Sequence, residues 1–251
     1  MKDHNDPTRV TRREALGTLG AIGGVALLAR HKGEPAMADD ASTPGRPPIY
    51  KGEHQLKPLP FDPGKLKGLS DKLLTSHHQN NYGGAVKRLN LIQQQLGTLP
   101  KDAPPYQMGS LKREELVANN SMLLHELYFG NLGGNGRADG GVAKDLGTAF
   151  GSLAAWEHDF RATGLSLTGG SGWVVLSFDP PSHDLHNWWA WDHTHSVVGG
   201  IPLLVMDMYE HSYHMDYGAN AKGYIDAFFQ NVKWDEVNRR LEEARKATGT
   251  S

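Results

Sequence analysis

The fold is indicated by the stretch Asp207-Met-Tyr-Glu-His211-Ser-Tyr-His-Met-Asp-Tyr217, in which a carboxylate and an imidazole are separated by three residues. The apolar run 201–206 directly before it predicts a short buried strand. Side chains just past such a strand can converge on one cation, and this oxygen and nitrogen pair suits iron, manganese or zinc. These residues alone are compatible with two interpretations, a metal site and a pair on the surface or at a helix cap.

Length and composition limit the class of protein. A chain of 251 residues can form one or two domains with a sizeable core. Lys plus Arg (26) nearly balances Asp plus Glu (28), so nothing indicates nucleic acid or an anionic membrane as a partner. The chain has no cysteine, which excludes disulfides, cysteine zinc sites and thiol catalysis.

The N-terminus has the pattern of an export signal. Adjacent arginines at Arg12-Arg13 precede an uncharged run from Ala15 to Ala29, and Ala36-Met37-Ala38 matches an A-x-A cleavage site before Asp39. The paired arginines favour the twin-arginine route. A Sec-type signal with a chance arginine pair and an uncleaved membrane anchor are the alternatives.

We therefore expect residues 1–38 to be a signal peptide and 39–54 a flexible lead. The mature protein is expected to be exported, either periplasmic or secreted, and free of the membrane after cleavage.

Helical patterns follow the lead. Ser70 is a suitable N-cap for a helix that runs through His77-His78, and Tyr82-Gly83-Gly84 predicts a kink before a second helix. Residues 112–129 are expected to form a helix with an apolar stripe, and 142–160 another. The stripe of the first of these consists of Leu116, Leu123 and Leu127.

A strand is expected before the opening stretch, at 185–192. If this strand continues, His193 and His195 share one face, which is ligand-like spacing and would suit a hydrolytic zinc site. The alternative is a feature of a loop or rim. No role can be assigned to His183 or His186.

The longer string P-L-L-x-x-D-x-x-E-H-x-Y, followed by Y-I-x-A-F and N-V-x-W-D-E-V-N-R-R, resembles the C-terminal domain of the iron/manganese superoxide dismutase family. Tyr209 stands where the family signature D-x-W-E-H has Trp. The segment His125-Glu-Leu-Tyr-Phe129-Gly-Asn-Leu is similar to the family's N-H-S-x-F-W-x-N-L, and Gly170-Ser-Gly-Trp173 to its G-S-G-W. The resemblance covers roughly residues 55–245.

The resemblance implies an α+β fold. Its N-terminal domain, residues 55–135, would be a helical hairpin. Its C-terminal domain, residues 136–251, would be mixed and contain a small three-stranded antiparallel sheet.

The resemblance also implies the site. One iron or manganese ion per chain would be bound by His77, His125, Asp207 and His211. Glu210 would reach a ligand histidine of a second subunit, which implies a homodimer. The other residues expected around the pocket are Trp173, Tyr82, His214 and Phe129.

The implied activity is conversion of superoxide to oxygen and hydrogen peroxide. Several positions around the metal depart from the family pattern. Ala85 stands at the gateway tyrosine, Asn81 at a nearby histidine, and Gly169 and Ser121 at the two places expected for a glutamine that hydrogen-bonds solvent. A metal-binding protein of the same fold without dismutase activity is therefore the alternative.

Overall fold

The computed structural model describes residues 47–195 and 198–249. The expected signal peptide, residues 1–38, lies outside this range. None of the helices in the described ranges is long and apolar enough to cross a membrane.

The N-terminal part is a pair of long helices with an irregular start. After Ser70, whose hydroxyl accepts from the Leu73 N–H at 3.1 Å, the chain forms α1, a π-helical turn, α2 and α3. These elements span Asp71–Ser76, His77–Tyr82, Gly83–Thr98 and Pro105–Gly130, respectively.

The predicted kink or break at Tyr82-Gly83-Gly84 falls where the π-helical turn His77–Tyr82 passes into α2 at Gly83. The chain stays helical through this change, with φ of −61° at Gly83. The wider i to i+5 bonding of that turn absorbs the distortion, so the glycines need no special backbone conformation.

The buried face of α3 differs from the predicted stripe. Leu116 and Leu123 are 45% and 43% exposed, whereas the buried positions of the helix include His125 and Phe129. The leucines of the predicted stripe and the residues of the buried face, which include His125, follow the same helical period. Spacing alone therefore could not identify which of the two faces is buried. The buried face is Ala118, Ser121, Met122, His125, Tyr128 and Phe129.

The helix predicted over 142–160 is two helices, α4 (Gly140–Phe150) and α5 (Leu153–Leu165). Gly151 between them has φ of +83°, a left-handed conformation that ends α4. The Ser152 hydroxyl then accepts from the Ala155 N–H at 3.0 Å and caps α5.

Three antiparallel strands follow in the order β2-β1-β3. They are β1 (Trp173–Asp179), β2 (Asp184–Ala190) and β3 (Ile201–Asp207), and Trp173 pairs with Ala190 on one side and Asp207 on the other. The second strand ends at Ala190, so the strand that would align His193 with His195 does not form. Helices and sheet together confirm the α+β class.

The chain ends in helices around the sheet. A 3-10 turn at Glu210–Ser212 leads into α6, α7 and α8. These helices span His214–Tyr217, Ala221–Gln230 and Trp234–Thr248.

Arg240 of α8 joins the two halves of the protein. It is 8% exposed, and it donates to the carbonyl of Leu203 in β3 at 2.9 Å and to the carbonyl of Leu127 in α3 at 3.2 Å. Glu236 accepts from its Nε at 2.9 Å. The guanidinium thus connects the strand and the helix that carry Asp207 and His125.

Part of the expected flexible lead is held against α2. The backbone N–H of His54 donates to Asn90 Oδ1 at 2.8 Å, and Asn90 Nδ2 donates to the His54 carbonyl at 2.9 Å.

Candidate metal centre

The four predicted ligands come together from four elements. His77 begins the π-helical turn, His125 lies in α3, Asp207 ends β3 and His211 lies in the 3-10 turn. Their ligating atoms all lie within 4.8 Å of one another. Asp207 Oδ2 is the common point, at 3.1 Å from His77 Nε2, 3.3 Å from His211 Nε2 and 3.6 Å from His125 Nε2.

The centre is buried except on one side. His77 and His125 are each 1% exposed and Asp207 is fully buried, whereas the His211 side chain is 27% exposed. Access to the centre therefore lies on the His211 side.

Asp207 is fixed so that one oxygen remains for the histidines. Its Oδ1 accepts from the Tyr209 N–H at 2.8 Å. Its backbone carbonyl accepts from the hydroxyls of Tyr224 at 2.6 Å and Ser212 at 2.9 Å. With the backbone and Oδ1 satisfied, Oδ2 faces the three imidazoles.

The imidazoles are arranged to accept a cation. The Ser121 carbonyl, 2.6 Å from His125 Nδ1, is an acceptor only, so the proton of the neutral His125 ring lies on Nδ1 and Nε2 is left as a lone-pair donor. Among the described residues, His125 Nε2 and His77 Nε2 have no hydrogen-bond partner of good geometry, although both are buried. Buried polar atoms without partners are costly, and a bound metal ion would satisfy both.

The protonation states of the converging residues also suit metal binding. Burial lowers the pKa of His77, and it lowers the pKa of His125 to about 3. Burial alone would raise the pKa of the Asp207 carboxyl, but His211 and His77 hold that pKa well below its usual range. Neutral imidazoles and an ionised carboxylate are the forms that bind metal ions.

Aromatic side chains enclose the centre. The Phe129 ring lies 5.0 Å from that of His77, and the Trp173 ring meets that of His125 edge-on at 5.1 Å. Tyr82 stacks on His125 at 6.3 Å. Two other residues expected near the pocket, Glu210 and His214, are exposed.

His193 is a neighbour of the centre that the sequence did not identify as such. Its Nδ1 accepts from the indole N–H of Trp173 at 3.0 Å, and its ring stacks on Tyr209 at 4.7 Å. Its ring lies 6.4 Å from that of His125. Asn120 Nδ2 donates to the His193 carbonyl at 2.7 Å and fixes the loop.

The second metal site considered for His193 and His195 is not formed. His195 Nδ1 lies 3.0 Å from Asp192 Oδ1 instead, and the metal-ligating group found among the described residues contains neither histidine. The contact between His193 and Trp173 joins a loop to a strand twenty residues away, so no local motif in the sequence indicates it.

Three imidazoles and one carboxylate, without thiolate, define a metalloprotein class that binds a metal of intermediate softness. Residues 138–240 match the C-terminal domain of iron/manganese superoxide dismutases. The chain is 52% identical over 192 residues to an iron superoxide dismutase of Cupriavidus metallidurans, covering 76% of this chain and 98% of that protein. It is 35% identical over 212 residues to an iron superoxide dismutase of Aquifex pyrophilus, covering 78% of this chain and 95% of that protein.

A manganese enzyme is also similar. The chain is 30% identical over 196 residues to manganese superoxide dismutase 1 of Halobacterium salinarum, with 76% of this chain and 96% of that protein covered. The chain belongs to the iron/manganese superoxide dismutase family, as its motifs predicted.

Proposed function

We infer that this protein is a superoxide dismutase, which converts superoxide to oxygen and hydrogen peroxide with iron or manganese as its redox metal. The observation that carries this inference is the convergence of three imidazole Nε2 atoms on Asp207 Oδ2 in a chain of this family. Relatives of both metal types are similar to the chain, which supports iron or manganese as the metal.

His77, His125, Asp207 and His211 are the residues that would hold the ion, one per chain. When bound, an iron or manganese ion that alternates between its +2 and +3 states can accept an electron from one superoxide and return an electron to the next. The protein orients the imidazoles, supplies one negative charge and keeps most of the centre away from bulk water.

His193 takes the role that the family resemblance gives to a glutamine. Because the Trp173 N–H donates to Nδ1, the proton of the neutral His193 ring lies on Nε2, which becomes a hydrogen-bond donor. Burial lowers the pKa of His193, which favours this neutral form. His193 is held in place by Trp173, Tyr209 and the Asn120 amide. Residues outside the ligands of a metal commonly orient the groups next to it in this way.

The active form is a homodimer in this proposal. Glu210 is exposed and lies next to His211, the one member of the centre that is open on its outer side. A second copy that packs beside this side would bring the two Glu210 carboxylates to the two His211 rings and would narrow the approach to the centre without closing it. An isologous contact of this kind is self-complementary, as two-fold symmetry requires.

Export is the remaining part of the proposal. The paired arginines, uncharged run and A-x-A site of residues 1–38 support a cleaved twin-arginine signal and a periplasmic or secreted location. An antioxidant enzyme in that location would act on superoxide formed outside the cytoplasm.

The test is metal content and superoxide turnover, both measured on one preparation of the exported protein. We expect iron or manganese near one ion per chain together with activity, and loss of both, to less than about a tenth, in His77→Ala. His78→Ala is the matched control, because His78 is the adjacent histidine and hydrogen-bonds the Lys57 carbonyl instead. Full metal without turnover would contradict the inference and favour the metal-binding alternative.

A further inference from the structure

Lys57, just past the N-terminal lead, bonds two elements of the metal centre. Its ammonium bonds the carboxylate of Glu126, the α3 residue directly after His125. Its backbone N–H donates to the hydroxyl of Tyr82 in the π-helical turn at 3.1 Å. Lys57 therefore connects the two helical elements that contribute ligand histidines.

Glu126 and Tyr82 are joined to each other as well. The Tyr82 hydroxyl donates to Glu126 Oε1 at 2.9 Å, because a carboxylate that pairs with an ammonium can only accept. This bond fixes the Tyr82 ring, which is 1% exposed and lies nearly parallel to the His125 ring at 6.3 Å. One hydrogen bond and one aromatic ring thus separate the Glu126 carboxylate from a predicted metal ligand.

The carboxylate of Glu126 is a charge that the four converging residues do not require. Glu126 stands where the family motif has serine, so it adds a negative charge beside the centre. Without compensation, this charge would repel an anion such as superoxide and would favour the higher oxidation state of a metal. The Lys57 ammonium compensates it by direct contact.

Stability alone gives little reason for the ion pair. The Lys57 side chain is 68% exposed, whereas that of Glu126 is 16% exposed. An ion pair with one partner in solvent contributes little to the free energy of folding. Its proximity to the centre is the feature that such a surface pair does not explain.

We propose that Lys57 and Glu126 form a compensated charge pair that positions Tyr82 against His125 and sets the electrostatic potential of the centre. Glu126 fixes the ring, and Lys57 removes the repulsion that the carboxylate would exert on an incoming anion. Both are positioning residues, since neither is among the four converging residues. This inference rests on the proposed function because it concerns the same metal ion.

The experiment is a double-mutant cycle on the iron-loaded protein, with azide as the small anion. Lys57→Met keeps the backbone bond to Tyr82, and Glu126→Gln keeps an acceptor for the Tyr82 hydroxyl. Azide should bind about two- to tenfold more weakly to Lys57→Met and more tightly by a similar factor to Glu126→Gln, the range for a unit charge about 10 Å away. The reduction potential of the iron should fall in the first variant and rise in the second.

The double variant, Lys57→Met with Glu126→Gln, has the net charge of the wild type. Its azide affinity should lie within about twofold of the wild-type value, and its reduction potential should return to that of the wild type. Opposite shifts that cancel are expected of charge, whereas damage to the fold would give losses of the same sign.

Lys112 and Glu115 provide the matched control pair. They are the same residue types and form a 2.7 Å ion pair on α3, and Glu115 lies ten residues, about 15 Å along the helix, before His125. Lys112→Met and Glu115→Gln should leave azide affinity and reduction potential unchanged.

Four results would overturn the proposal: shifts of equal sign in the two single variants, no shift in either, shifts that persist in the double variant, or equally large shifts in the control pair. Neither measurement needs superoxide. Bound iron without superoxide turnover would therefore contradict the proposed function alone, and the cycle would still decide on the charge pair. Failure to bind iron or manganese at all would overturn both.

Discussion

The indole N–H of Trp173 donates to Nδ1 of His193 at 3.0 Å, and this bond defines which nitrogen of the histidine carries the proton. Trp173 is the strand residue that packs against His125, so the same indole contacts a predicted metal ligand and orients a neighbouring imidazole. A side chain from the loop after β2 thereby becomes part of the surroundings of the centre.

Replacement of His193 tests this role. His193→Ala should lower kcat about 10- to 100-fold with full metal content, since outer-shell residues typically have effects of that size. His193→Gln retains a donor and should recover at least part of the loss. Metal analysis and stopped-flow superoxide decay on the same samples measure both effects.

His195→Ala is the matched control, because His195 lies two residues away and contacts Asp192 instead. It should have wild-type kcat. Equal losses in the alanine variants at 193 and 195, or no loss in either, would contradict the assignment.

Glu210→Ala tests the dimer. Loss of an interface hydrogen bond to a charged group costs about 2 kcal/mol, so the dimer dissociation constant should rise about 30-fold. Analytical ultracentrifugation over a dilution series measures it. Glu243→Ala, which removes an exposed carboxylate from α8, should leave the constant unchanged. A wild type that is monomeric at all concentrations would exclude the dimer.

Gly151→Ala should destabilise the protein by about 1 kcal/mol. A residue with a Cβ is strained at φ of +83°, and no other atom lies within 4 Å of where that Cβ would be, so the effect comes from the backbone alone. Gly147→Ala lies within α4 at an ordinary contact distance and should stabilise by about 0.5–1 kcal/mol. Urea unfolding of the metal-free proteins should give opposite signs, and a stabilised Gly151→Ala would disprove the strain.

Arg240→Ala should reduce the free energy of unfolding by about 3 kcal/mol, because it removes a charged donor from the carbonyls of Leu127 and Leu203 and from the Glu236 carboxylate. Arg239→Ala is the control. Arg239 bonds Glu236 and Glu243 at the surface of α8, and its loss should change the free energy by no more than about 0.5 kcal/mol. Similar losses of unfolding free energy for the two variants in urea would show that the Arg240 hydrogen bonds to α3 and β3 do not stabilise the protein.

The family motifs predicted the fold class and the four convergent residues because these depend on short, ordered blocks such as Asp207 to His211. The break at Gly151 was missed because Ala, Phe and Leu on both sides continue the helical period. The face of α3 was assigned wrongly for a related reason. The buried face of α3 is the one that carries His125, whereas the leucine pattern indicates only that the segment is a helix.

His193 could not be assigned from the sequence because its environment is created by tertiary contacts. It lies past the end of β2, and its position depends on Trp173, Tyr209 and Asn120 from three other elements. Two histidines two residues apart suggested a shared ligand role, but a strand is needed to align them and the strand ends at Ala190. The spacing of two residues predicts a shared face only where the helix or strand that would align them forms.

The order of the four converging residues along the chain has a consequence for biosynthesis. His77 and His125 are made early, whereas Asp207 and His211 appear only when most of the 251 residues have been synthesised. A ribosome-bound or truncated chain that stops before residue 207 offers two imidazoles and no carboxylate from this group. An unfinished copy therefore lacks two of the four ligating residues, and we expect this centre to bind metal only after both halves of it have been made.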